Sequence, residues 1–159
     1  MRSTPDLCDD HADHVQVVSG LNWQSYGGHD RFGGKIATVK CFEDNSRIKE
    51  LLATEGNGRV LVVDGGGSLR HALIGDMIAA NARDNGWAGI IINGACRDVE
   101  ILRDINFGVF ALGCVPRKSV RRGEGQVDIP VSFGGVTFRP GDYVYADANG
   151  VIVAERALD

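Results

Sequence analysis

The apolar residues of this chain fall into short runs, and the period within each run predicts its element. Val60 to Val63 is apolar at every position and ends in Asp64-Gly65-Gly66-Gly67, the pattern of a buried strand opening into a tight loop. After Gly75-Asp76 come Met77, Ile78, Ala79, Ala80 and Ala82, good helix formers that stop at Asn85-Gly86, so a helix is predicted there. A second apolar strand, Ala88 to Ile92, is predicted to turn at Asn93-Gly94 and to deliver Arg97-Asp98-Val99-Glu100 beyond its carboxyl end. Two strand ends and one helix start therefore converge. In open α/β sheets ligands collect outside the carboxyl ends of strands, and a helix N-terminus offers unpaired N–H groups, so chemistry is expected at this edge.

Around this stretch the same logic places the remaining elements. Thr4-Pro5-Asp6 predicts a short helix to about His11, with Thr4 as N-cap and Pro5 at the first helical position. Val15 to Val18 and the alternating Lys35 to Cys41 read as strands separated by glycine turns. Asp44 or Asn45 caps a helix to about Thr54, with Ile48, Leu51 and Leu52 on one face. Val99 to Asp104 predicts a short helix and Gly108 to Leu112 a strand. Val127 to Phe133, Val136 to Phe138, Asp142 to Ala146 and Val151 to Ala154 are predicted strands, and Asn149-Gly150 signals a type I′ hairpin. Helices and strands alternate first and strands dominate later. The expectation is an α/β sandwich or barrel-like core with helices packed outside, residues 1–159 forming a single domain.

Composition narrows the function classes. A net charge of −4 argues against a direct nucleic-acid binder that works by neutralising phosphates. No apolar run approaches the roughly 18 residues of a membrane span, and the N-terminal segment lacks the apolar core of a signal peptide, which predicts a cytoplasmic protein away from membranes. Cys8, Cys41, Cys96 and Cys114 form no C-x-x-C pair, so buried reduced thiols are expected rather than a zinc site or disulfide frame.

Three constellations carry candidate chemistry. The glycines after Asp64 invite a nucleotide reading, but Arg70 stands where the third glycine of G-x-G-x-x-G belongs and the helix begins too late, so they are read as turn formers. Gly75-Asp76-Met77-Ile78 is stronger, because the first N–H groups of a helix lack internal partners and a glycine lets a ligand approach; an ordinary Asp76 cap is the competing reading. Arg97 offers a planar fork for a carboxylate, and Asp98 a hard oxygen for a divalent cation such as Mg²⁺, although such a pair is also a common surface ion pair. The histidines show no ligand spacing, though His71 lies close enough to the loop to touch a substrate. The basic run Arg117, Lys118, Arg121 and Arg122 is read as solvated surface ahead of a subunit or acidic-partner contact, and Glu100 either as an orienting partner for Arg97 or as half of an exposed helical salt bridge.

Asp76, twenty intervening residues and then Arg97-Asp98 resembles the D-x20-R-D signature of the RraA-like family, which joins the regulator of ribonuclease E activity A to the class II 4-hydroxy-4-methyl-2-oxoglutarate aldolases. Arg31 to Asn45, Arg59 to Asp76 and Phe133 to Val153 resemble it too, so the likeness covers nearly the whole chain. The resemblance implies a swivelling β/β/α-type fold with peripheral helices and a ring-shaped homotrimer, or a dimer of trimers. It implies a small 2-oxo acid held at the Gly75 to Ile78 backbone and by Arg97, and a divalent cation, Mg²⁺ or Mn²⁺, on Asp98. Asp76 would position Arg97 or a water on the metal. The implied activity is that of a metal-dependent aldolase or oxaloacetate decarboxylase releasing pyruvate through a metal-stabilised enolate. The alternative it implies is a protein inhibitor that binds ribonuclease E; retention of Asp98 favours catalysis.

Overall fold

A strand that is apolar at every position must be covered on both faces, and the computed structural model, which describes residues 1–159, is built around that requirement. In chain order the elements are α1 (Thr4–Asp10), a 3₁₀ turn (Ala12–His14), β1 (Val15–Val17), β2 (Gln24–Ser25), β3 (Phe32–Lys40), α2 (Ser46–Leu52), β4 (Val60–Asp64), β5 (Ala72–Ile74) and α3 (Asp76–Asp84). There follow β6 (Gly89–Cys96), α4 (Val99–Leu102), β7 (Gly108–Cys114), β8 (Gln126–Val127), β9 (Val131–Phe133), β10 (Val136–Phe138), β11 (Tyr143–Asp147) and β12 (Gly150–Ala154).

One mixed sheet runs in the order β1-β12-β11-β3-β4-β6-β7-β2, with β5 added to β6 and β8 to β3. Strand β3 joins its two halves. Phe32 to Lys35 pair antiparallel with β11, and Ile36 to Lys40 pair parallel with β4. The parallel strands β3, β4, β6 and β7 step across the sheet in one direction, and right-handed crossovers in one direction put every connecting helix on the same face. Burial follows that geometry with period two. Leu61, Val63, Ile90, Ile92, Val109 and Ala111 pack with Ile48 and Leu52 of α2, Ala79 and Ala82 of α3 and Leu102 of α4. Val60, Val62, Ile91 and Phe110 face the other way, onto Val131, Val136 and Phe138 of the β9–β10 hairpin and Val144 of β11. Truncating a fully buried residue such as Leu61 to Ala should cost about 2–5 kcal/mol.

The sheet ordering and helix placement agree with the swivelling β/β/α expectation, but several local expectations change. Ser3, not Thr4, caps α1, its side chain accepting from Asp6 N–H. Thr4 is buried and donates through N–H and Oγ1 to Asp147, at 2.7 and 2.6 Å, which ties the N-terminus to the last hairpin. The Val127 to Phe133 run is broken into β8 and β9 at Asp128, which has φ 60°. The final hairpin pairs Asp147 with Gly150, so its two loop residues are Ala148 and Asn149, and neither has positive φ. The turn is therefore not type I′; Asp147 Oδ1 accepts the Asn149 N–H instead and closes it as an Asx turn. Asn93-Gly94 is not a turn either. Strand β6 runs through it to Cys96 with a bulge between Ile92 and Ala95. Cys41 and Cys96 are buried as expected, whereas Cys114 is exposed.

Candidate active site

Because β4, β6 and β7 are parallel, their carboxyl ends lie along one edge of the sheet, and the chain leaves each of them into a loop or helix start. A cavity of about 890 Å³ opens there. Gly75, Asp76, Met77, Ile78, Arg97 and Asp98, all six of the expected site residues, line it. Strand β5, too short to be read from the sequence, is what brings them together. It lies parallel to β6 with Ile74 level with Cys96, and Arg97 N–H donates to Ile74 O at 3.0 Å, so the start of α3 and the Arg97-Asp98 step come off neighbouring strands at the same height.

Asp98 holds the centre of this arrangement. It sits at φ 59°, ψ 40°, a left-handed conformation uncommon for a side chain that cannot be glycine, and it forms the N-cap position of α4. Its Oδ2 accepts the Asp76 N–H at 3.2 Å and lies 3.9 Å from Arg97 Nε. Arg97 Nη1 also donates to Pro116 O at 3.4 Å, so the guanidinium is oriented from two sides with its side chain still 38% exposed. Gly75 is required by close approach: a Cβ there would stand 2.5 Å from Asp98 Oδ2.

The helix start is less open than the sequence implies. Asp76 N–H is taken by Asp98, and Met77 N–H by the Asp76 side chain at 2.9 Å, which leaves the Gly75 and Ile78 amides without a bond. Met77 itself projects at the cavity mouth, 80% exposed. The glycine loop after β4 lies outside the cavity. Gly65 and Gly67 N–H donate to Asn93 O, and Gly66 N–H to Asp64 Oδ1, so its amides are consumed internally and offer no phosphate cradle.

The basic run after β7 is exposed, as expected, and three of its four cations also border the cavity. Arg117, Lys118 and Arg121 line the cavity, joined by Lys49 from α2, while Arg122 does not. Long-range bonds pin this strap. Ala72 N–H donates to Arg117 O at 2.7 Å, Ser119 Oγ to Ala72 O at 2.8 Å, and Arg121 Nε to Asn45 Oδ1 at 3.0 Å. Asp44 anchors the next residues. Burial opposes its charge, but the Ser46 hydroxyl and N–H and the Arg122 and Glu124 N–H groups outweigh that and bring its pKa down to about 2. His71 Nδ1 lies 2.9 Å from Lys118 O, and since a carbonyl only accepts, that nitrogen carries the proton and leaves Nε2 to accept. Glu100 is not among the lining residues. Five cationic side chains thus face two carboxylates, Asp76 and Asp98, and the field in the cavity favours an anion.

The donor set is too small for a cation enclosed by protein. No group of three or more His, Cys, Asp or Glu side chains is arranged to hold a metal. Asp98 supplies one carboxylate, whose Oδ1 makes no hydrogen bond, beside the Asp76 carboxyl. That set fits a hard divalent cation which keeps most of its waters and not a softer, fully caged ion.

Comparison with known proteins agrees with this architecture. A chain from Alcanivorax borkumensis named "Putative 4-hydroxy-4-methyl-2-oxoglutarate aldolase" is 70% identical over 155 residues, covering 98% of this chain and 97% of its own. A relative of the same name from Pseudomonas syringae pv. tomato is 56% identical, with 98% and 95% covered. Among solved structures, one from Geobacillus kaustophilus described as an S-adenosylmethionine:2-dimethylmenaquinone methyltransferase superposes with a TM-score of 0.96 at 50% identity, covering 99% of this chain and 97% of its own. The RNA-processing inhibitor RraA from Thermus thermophilis gives 0.93 at 40% identity, with 98% and 94% covered. The model of the RraA-like family, Aldolase/RraA, matches residues 4–153, and with the Asp76 and Arg97-Asp98 frame seated around one cavity at the strand ends, the chain belongs to that family.

Proposed function

We propose that this chain is a divalent-metal-dependent carbon–carbon lyase of small 2-oxo acids, cleaving 4-hydroxy-4-methyl-2-oxoglutarate by retro-aldol reaction or oxaloacetate by decarboxylation. The observation that carries the reading is the convergence of Arg97, Asp98 and the α3 start in one cavity with a cationic wall. Both substrates are dianions, and both reactions leave the enolate of pyruvate, so the site must bind carboxylates and then stabilise new negative charge beside them. Asp98, with Asp76 next to it, would hold a Mg²⁺ or Mn²⁺ ion. Such an ion supplies Lewis-acid polarisation of a 2-oxo group. Arg97 pairs with the substrate carboxylate and stabilises the charge that grows on the adjacent oxygen, a role its fork performs better than a point charge. The free Gly75 and Ile78 amides orient the same end, and Arg117, Lys118 or Arg121 meets the second carboxylate. His71, held through Nδ1 by Lys118 O, is the imidazole in the wall placed to take or give a proton through Nε2.

Pyruvate release by the purified protein, measured with and without Mg²⁺, tests this directly. Asp98→Ala should abolish it, because the remaining donors are waters and one neighbouring carboxyl; undiminished turnover in excess chelator would contradict the metal role. We further propose a cytoplasmic homotrimer, or a dimer of trimers, which sedimentation at micromolar concentration checks against a stable monomer.

A second reading is supported by the likeness to the Thermus inhibitor: binding to ribonuclease E through a surface that need not include the cavity. Measuring ribonuclease inhibition on Arg97→Lys beside lyase activity separates the two, since the first should survive a change that removes the second.

A further inference from the structure

Two of the cysteines stand side by side. After the bulge in β6, Cys96 is level with Cys114 on the neighbouring parallel strand β7. Before the bulge the register pairs Ile92 with Ala111, and continued unbroken it would set Ala95, not Cys96, opposite Cys114. The single extra residue at Asn93-Gly94 therefore makes the pair. Level residues on adjacent strands point to the same face and have Cα atoms roughly 4.7–4.9 Å apart, inside the about 4.4–6.8 Å that a disulfide spans. The Tyr26 hydroxyl is a common neighbour of the two. Burial and then both thiols, Cys114 and Cys96, act on it and push its pKa up to about 12. The two sulfurs differ in access: Cys114 is exposed and Cys96 fully buried.

We infer that Cys96 and Cys114 form an oxidisable dithiol, a modification site that closes to an intrachain disulfide when it meets a low-molecular-weight disulfide such as oxidised glutathione. The exposed Cys114 thiolate attacks the reagent, forming a mixed disulfide and releasing one thiol. The Cys96 thiol then attacks the Cys114 sulfur as its proton passes to the departing reagent sulfur, forming the Cys96–Cys114 bond and releasing the second thiol. Two protein thiols are oxidised and one reagent disulfide is reduced to two thiols. The bond would tie β7 to the strand end that carries Arg97. Cys96 is already held there, its carbonyl accepting from Val115 N–H at 2.9 Å while the next residue bonds to Ile74.

The test treats the folded protein with oxidised glutathione, then counts thiols and maps tryptic peptides without reduction. Free thiols should fall from four to two. The mass should drop by two hydrogens, and the peptides 84–97 and 104–117 should appear linked. Cys114→Ser, an exposed position, should lose no thiol to an intrachain bond, and Cys8→Ser should still lose two. Glutathione left stably on Cys114, a bond between Cys114 residues of two copies, or a linked peptide in Cys114→Ser that uses Cys8 or Cys41 would each overturn the inference.

Discussion

Two glycine-bearing loops leave the same edge of this sheet, and they have opposite fates. The loop Asp64 to Gly67 after β4 looks like a ligand cradle, yet its amides bond to the Asn93 carbonyl and the Asp64 side chain. Gly75, between β5 and α3, stands alone without a glycine run and opens onto the cavity beside Arg97 and Asp98. The first loop closes on the bulged part of β6, and the second faces the point where β6 ends. The difference teaches that a glycine loop is a site only where its donors have nothing internal to satisfy, and that depends on the neighbouring strand.

The contrast can be broken most severely at the guanidinium. Arg97→Lys keeps the charge and the fold but loses the fork, so turnover in the pyruvate-release assay should fall on the order of 10²–10³. Kinetics that show only a raised KM would instead assign Arg97 to uniform binding.

Swapping the glycines tests the comparison itself. Gly75→Ala drives a methyl group onto the Asp98 carboxylate, and a displacement of that size should lower turnover on the order of 10- to 100-fold. Gly66→Ala instead places an L residue at φ 66°, against the Phe42 ring, which should cost about 1–2 kcal/mol of stability and leave turnover nearly unchanged. Equal activity losses in the two variants would make the two loops functionally alike. Thermal melts and turnover on the same samples decide it.

The smallest effect is an acid one, on the strap that carries the cationic wall. Asp44 is ionised in the fold down to about pH 2 through its bonds to Ser46, Arg122 and Glu124, against an ordinary value of 3.8. Its folded value is the lower one, so its contribution to stability is complete above about pH 4 and is lost as pH falls toward 2. Acid titration followed by denaturant melts should show Asp44→Asn to be less stable than the parent at neutral pH, with the gap closing across that window.

Much of the fold was legible locally. The unbroken apolar run of β4 demanded burial on both faces, α3 began at Gly75-Asp76 and ended at Asn85, and the twenty-residue interval placed Asp76 and Arg97-Asp98 at one edge. Those features rest on neighbours in the chain, where period and capping carry the information. The rest depended on partners far away. Nothing in Ala72-Leu73-Ile74 marks a strand until β6, the Arg117 carbonyl and the Ser119 hydroxyl pair with it, and that pairing brings an exposed basic run to the cavity wall. Likewise Asn93-Gly94 has the composition of a turn, and only the strands on either side, which hydrogen-bond past it, make it a bulge. Residue types fixed which chemistry was available, while register between strands decided which side chains share one cavity, because a one-residue slip in a sheet moves every later side chain to the opposite face.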